Sequence, residues 1–220
     1  MERAAFLARL GRPRPGPALP DLAELPQAQT ELLPGEDRGA RFIRELEAVA
    51  GTVERAAPER VAAAVAAALA LHDARSVAVA DDLGPHRDGV VAALGAAGLD
   101  VATYADAATD RERLGALDAT VTGCLAGVAA TGSIVTSASA GRAAALVAPV
   151  HVCVLRREQL LGGLQELLRA LPRLGGGSLV ALQSGPSRSA DIEKHLILGV
   201  HGPRVAHVVL VDGPPPAAGA

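Results

Sequence analysis

From Glu36 onward the chain alternates short, uninterrupted apolar runs with stretches of helical period, and few folds satisfy that pattern. Runs such as Ser76-Val77-Ala78-Val79-Ala80, Ala119–Cys124, Ser133–Ser137, His151–Leu155, Leu179–Gln183 and Val205–Val211 carry too little polar alternation for a sheet with one wet face. Helical segments separate most of them, which specifies a parallel arrangement covered on both sides. The expected fold class is α/β: an open, largely parallel sheet with helices on both faces. A chain of 220 residues, half of them apolar, buries one substantial core and is too short for two comfortable domains.

The ends depart from this pattern. Residues 1–10 have the amphipathic spacing of a brief helix, and Gly11–Gly35 contains six prolines that remove main-chain donors. Residues 1–35 therefore read as a short helix followed by an extended arm, residues 36–212 as a single domain, and the proline-rich stretch 213–220 as a disordered tail. Inside the domain, Phe42, Ile43, Leu46 and Val49 recur at three and four residues, predicting a helix that Gly51 caps. Pro58–Leu71, Arg87–Ala97 and Asp106–Leu114 also read as helices. Glu158–Leu171 reads as a further helix, stopped by Pro172.

Several function classes lose support. Basic and acidic residues number 21 and 24 and are interspersed, and Phe6, Phe42 and Tyr104 are the only aromatic residues, so no cationic stripe or base-stacking platform exists for nucleic acid. The longest apolar run, Val61–Leu71, is too short to span a bilayer, and the N-terminus has no signal-peptide core, so a cytoplasmic protein without membrane insertion is expected. Cys124 and Cys153 stand alone, so neither a disulfide framework nor a cysteine-ligated cluster is expected. No metal site is expected, since His195 four residues after Asp191 is not a ligand set. The sequence has no GxGxxG after a strand, no GxxxxGK[ST] and no GxSxG.

Two segments depart from core-building composition. In the first, Thr131-Gly132-Ser133 places hydroxyls and a glycine at a strand entry, where they can bond an oxyanion or carbonyl or simply satisfy a tight turn. In the second, Ser184-Gly185-Pro186-Ser187-Arg188-Ser189-Ala190-Asp191-Ile192-Glu193 reads as a Ser/Gly loop leading into a helix, whose free N–H groups and Arg188 would attract an anion. Asp191 and Glu193 oppose that by capping the helix and pairing with Arg188 themselves. Further on, His201-Gly202-Pro203-Arg204 sets an imidazole and a guanidinium before the last strand. Ligands of parallel sheets collect at the carboxyl ends of strands, and both segments are expected in one cleft there.

The pair Ser184–Glu193 and Leu198-Gly199-Val200-His201-Gly202-Pro203-Arg204 closely resembles the signature of LutC-type proteins of the LUD, or lactate-utilisation, family. The resemblance extends more loosely to the N-terminal segment, the Phe42 helix and Thr131-Gly132-Ser133. It implies a fold similar to the NagB/RpiA/CoA-transferase group and a role beside iron–sulfur subunits that oxidise L-lactate to pyruvate. With no cysteine cluster and no nucleotide motif in the sequence, no cofactor is expected on this chain. One departure stands out: Ala130 occupies the position where relatives commonly carry Glu, and a methyl group cannot transfer a proton.

Two functions follow as expectations. As an accessory non-redox subunit, the chain would dock on iron–sulfur partners and hold a small carboxylate or phosphate through Thr131, Gly132, Ser133, Ser184, Gly185, Ser187, Arg188, Gly202 and Arg204. As a stand-alone isomerase, transferase or cyclo-ligase, it would use Asp191, Glu193 and His201 as acid–base groups in the same cleft.

Overall fold

With both faces buried, the apolar runs pair into a parallel sheet in the computed structural model, which describes residues 32–107, 111–137, 144–175, 179–190, 196–199 and 201–213. Most of the predicted N-terminal helix and arm, and most of the tail, lie outside the described residues. The sheet contains β1 (Thr52–Ala56), β2 (Ser76–Val79), β3 (Asp100–Thr103), β4 (Ala119–Thr122), β7 (Val150–Arg156) and β12 (Val205–Val211), in the order β1-β12-β7-β4-β2-β3. All its pairings are parallel.

Alternate residues of the central strands enter different cores. Val150, Val152, Val154, Val209 and Val211 pack with helices α2 (Val61–Leu71) and α3 (Arg87–Ala96) on one face. Cys153, Leu155, Val208 and Leu210 face the other way, toward Phe42 and Leu46 of α1 (Arg38–Ala48). Around the expected helix Asp106–Leu114, the described residues contain the helical segments α4 (Tyr104–Ala107) and α5 (Arg111–Gly115), and residues 108–110 lie outside the described residues.

A single sheet was expected, and the described residues form more. The segment after β4 leaves the parallel sheet and builds a four-stranded sheet, β8-β5-β6-β9, from β5 (Ala126–Val128), β6 (Ser133–Ser137), β8 (Leu160–Leu161) and β9 (Val180–Gln183). It covers the same face as α1. The expected strands did not include β5, which is only three residues long and has Gly127 at its centre. A methyl there would come 2.7 Å from Leu155 Cδ2, so glycine allows this strand to lie against β7.

Other boundaries shift for local reasons. Arg157–Gln159 form a 3₁₀ turn in which Gln159 Oε1 accepts from Arg156 N at 2.9 Å, so the expected Glu158–Leu171 helix starts later, as α6 (Leu164–Leu174). Pro172 lies inside α6 rather than stopping it. Leu168, whose carbonyl lacks its donor as a result, is half-exposed, so water can replace the bond. Just beyond α1, Ala50 rather than Gly51 adopts the left-handed conformation, at φ 63°. Gly51 is needed instead because a side chain would overlap Leu46.

Candidate functional site

The two signature segments meet at the amino ends of β7 and β12. Ser187 N donates to Pro203 O at 2.9 Å, Gly199 N to Ser187 O at 2.9 Å, and Arg204 N to Pro149 O at 2.8 Å. A methyl on Gly202 would come 2.9 Å from Ser187 Cβ, so this contact requires glycine. Between them lies a recess of about 230 Å³ lined by Leu146, Gln183, Ser184, Gly185, Pro186, Ser187, His201, Gly202 and Pro203.

The expected location at the carboxyl ends is corrected. There the chains leaving β2 and β4 diverge to opposite faces, and the crevice between them is filled by Asp82, whose Oδ1 accepts from Gly123 N at 2.7 Å. Burial raises the pKa of Asp82, an effect partly offset by that hydrogen bond.

The expected helix start directly after Ser187 is corrected as well, while residues 191–195 lie outside the described residues. Arg188–Ala190 form β10 and pair antiparallel with Leu196–Leu198, β11, so the 188–190 main chain enters a ladder instead of offering a helix terminus to an anion. Asp191 and Glu193 lie outside the described residues. The side chains of Arg188 and Arg204 are exposed and neither residue lines the recess, so Arg188 and His201 do not converge on it as expected; His201 alone does.

The hydroxyl segment does reach the recess. Thr131 Oγ1 and Ser133 Oγ are 2.7 Å apart, and Ser133 Oγ lies 2.6 Å from Ser184 Oγ, giving a chain of three hydroxyls that ends on the recess wall. Strand pairing explains the meeting: Ile134 is in register with Gln183 in the antiparallel pair β6–β9, so Ser133 and Ser184 are the next residues outward. Gly132 and Gly185 fix the same corner against α1. Both have positive φ, 59° and 75°; a methyl on Gly132 would overlap the main chain at Leu46, and one on Gly185 would sit 2.6 Å from Val49 O. Ala130 is buried, with its N–H donating to Gly162 O at 3.0 Å.

Behind the recess, a polar seam that the sequence reading did not identify runs between the two sheets. His151 is fully buried; its Nδ1 is 3.1 Å from Gln183 Oε1 and its Nε2 is 2.9 Å from Thr122 Oγ1. Thr122 Oγ1 also donates to Gly123 O at 2.8 Å. Desolvation lowers the imidazole pKa to about 4, against a smaller opposing effect of the Gln183 hydrogen bond, so the ring is neutral at physiological pH. Gln183 Nε2 is buried and has no hydrogen-bond partner among the described residues. The readable signal was a histidine inside the otherwise apolar run Val150–Leu155.

Family comparison agrees with this architecture. Residues 39–211 match the family model described as the LUD domain. The chain belongs to the LUD-domain family. This LUD domain is 35% identical over 98 residues to a protein of Deinococcus radiodurans named Lactate utilization protein C, covering 43% of this chain and 46% of that one. It is 33% identical over 86 residues to a protein of the same name from Shouchella clausii, covering 37% and 38%. The matched region thus spans less than half the length of these relatives. The crystal structure of a DUF162 family protein from D. radiodurans has the same fold, with a TM-score of 0.62 at 23% identity, covering 79% of this chain and 96% of that one. Among the described residues, no helix is long and apolar enough to cross a membrane.

Proposed function

We propose that this LUD domain serves lactate utilisation as a non-redox subunit that holds a small carboxylate in the recess and docks on iron–sulfur partners. The observation that carries the reading is the Thr131–Ser133–Ser184 hydroxyl chain ending on a recess lined by both signature segments. The name shared by the relatives supports the pathway. Hydroxyls that can donate, with His201 beside them, suit a carboxylate, and each charge-assisted bond contributes about 1.5–3 kcal/mol when shielded from water. Arg188 and Arg204 directly follow lining residues in the chain, and their exposed side chains are the nearest positive charges in sequence to the recess. In this reading the electron carriers belong to the partners, because both cysteines of the chain are buried thiols bonded to main-chain carbonyls.

The test is calorimetric titration of L-lactate, pyruvate and phosphate at low salt, with wild type, His201→Ala and Arg60→Ala, the last in a separate recess beside β1. A carboxylate that binds wild type and Arg60→Ala alike but His201→Ala more weakly supports the reading, as does co-purification with cysteine-rich iron–sulfur proteins. Failure of all three ligands to bind removes the recess from it. A stand-alone isomerase, transferase or cyclo-ligase is the second reading, because His201, the acid–base candidate among the described residues, lines the recess. Turnover of a sugar phosphate or CoA ester by the purified chain would establish it.

A further inference from the structure

Helix α2 carries no charged or polar side chain from Val61 to Leu71, although one side of it faces solvent. Its buried side, which includes Val61, Val65 and Leu69, packs on the parallel sheet, and α3 lies along one flank. The other flank follows the edge strand β1. There a recess of about 240 Å³ is lined by Ala56, Ala57, Ala63, Ala64 and Ala67, with Arg60 among its walls. One turn past Ala67 on the same flank stands Leu71, which is 72% exposed and is the most exposed large apolar side chain among the described residues. Leu71 does not line the recess, and the helix between them keeps the two apart.

Because the exposed leucine and the recess lie on one helix, a second copy running antiparallel fills both recesses at once. A two-fold axis at Ala67 sets each residue opposite the one equally far from Ala67 in the other copy. Leu71 then faces Ala63 in the recess of the second copy, and the reverse contact is identical. At the axis Ala67 meets itself, and a methyl group lets the helices approach closely. The charges at the ends match as well. The end that carries Glu59 and Arg60 meets the end that carries Asp73 and Arg75, with Arg60 beside Asp73. All four are exposed, and none has an ion-pair partner among the described residues. A parallel pair would instead set Arg60 against Arg60, and only the antiparallel pair opposes the helix dipoles favourably.

We propose that this flank of α2 is an interface between two copies of the chain, with Leu71 of each seated in the alanine-lined recess of the other. An 11-residue helix is about 16 Å long, so the contact is small, and the dimer exchanges with monomer in the micromolar range or above. The recess lined by Ser184 and His201 takes no part in it, so the inference stands apart from the carboxylate reading. The competing occupant is the chain's own segment 214–220. It begins next to Gly213, where a methyl would come 3.8 Å from Pro58 Cγ, near this recess. Its prolines, alanines and glycine bring no charged side chain to Arg60 or Asp73, whereas a second copy answers both.

Sedimentation velocity of the full chain, taken up to about 1 mM, should show a monomer–dimer equilibrium. Leu71→Ala, which removes mostly exposed atoms, should weaken it by roughly tenfold or more. Ala67→Glu sets two like charges at the axis and should abolish it, and unchanged thermal unfolding would show that both variants remain folded. Asp73 has φ 52°, a conformation that asparagine also tolerates. Asp73→Asn should therefore weaken the wild-type dimer by loss of charge, yet strengthen the dimer of Arg60→Glu, where it removes a like charge. That reversal of sign is specific to contact between Arg60 and Asp73. A monomer over the whole range overturns the proposal, and so does a dimer that Leu71→Ala and Ala67→Glu leave unchanged. If a chain ended at Gly213 dimerises and the full chain does not, segment 214–220 holds the recess and the proposal falls. If Ala67→Glu fails to fold, Leu71→Ala and the sign reversal decide the question.

Discussion

His151 illustrates how one buried residue links stability to pH. Its pKa is lowered from the usual 6.5 to about 4 in the folded chain, so the folded state keeps it neutral while an unfolded chain binds a proton below pH 6.5. The resulting stability is fully present above pH 6.5 and is lost as pH falls toward 4. Between pH 7.5 and 4.5 this loss should amount to about 2–3 kcal/mol. Urea titrations across that range should show the decline, and His151→Gln should have a flatter profile than wild type. His86 and His207, whose pKa values are also lowered chiefly by burial, contribute in the same direction to both proteins, so the difference between the two profiles isolates His151. Equal slopes would show that the ring is not held neutral.

Among the elements, α1 governs the corner where the hydroxyl chain sits. Asp37 caps it by accepting from Ala40 N at 2.7 Å and pairs with Arg157, which also bonds Asp212 at 3.2 Å. Its carboxyl pKa is lowered, first by the cap hydrogen bond. Asp37→Ala should cost about 1 kcal/mol of stability in thermal or urea unfolding, and Asp37→Asn, which keeps the cap, less. Gly132 is the sharper test. Gly132→Ala combines a left-handed backbone with overlap against α1 and should cost at least about 2 kcal/mol. Gly175→Ala has the same backbone strain at φ 67° but open space around it, and should cost only about 1 kcal/mol. Similar losses for the two would mean that close packing of α1 on the strand β6 corner does not matter.

For the whole molecule, stability should be graded from the centre of the parallel sheet outward. Strands β7, β12 and β4 are paired on both sides and buried on both faces, whereas β9 is an edge strand with Leu182 46% exposed. Amide exchange should accordingly be slowest in β7 and β12 and faster in β9 and the β10–β11 pair. Ligand in the recess should slow exchange in β9 more than in the distant strand β3. Uniform protection across these strands would contradict the gradient.

The sequence by itself determined the α/β class, the parallel sheet, the position of most strands and the helix face of Phe42 and Leu46. These follow from local hydrophobic period, which depends only on neighbours in the chain. The Ser184 and His201 segments were also legible, because their Ser, Gly and Pro content departs from core composition. Tertiary structure alone decided that β5, β6, β8 and β9 form a second sheet, that the recess lies at the amino ends of β7 and β12, and that Asp82 fills the opposite crevice. It also decided that His151, Thr122 and Gln183 form one chain of hydrogen bonds. The physical reason is the same in each case. Pairing between distant strands fixes which side chains meet, and a buried polar group is defined by the partner it finds there, which local period does not encode.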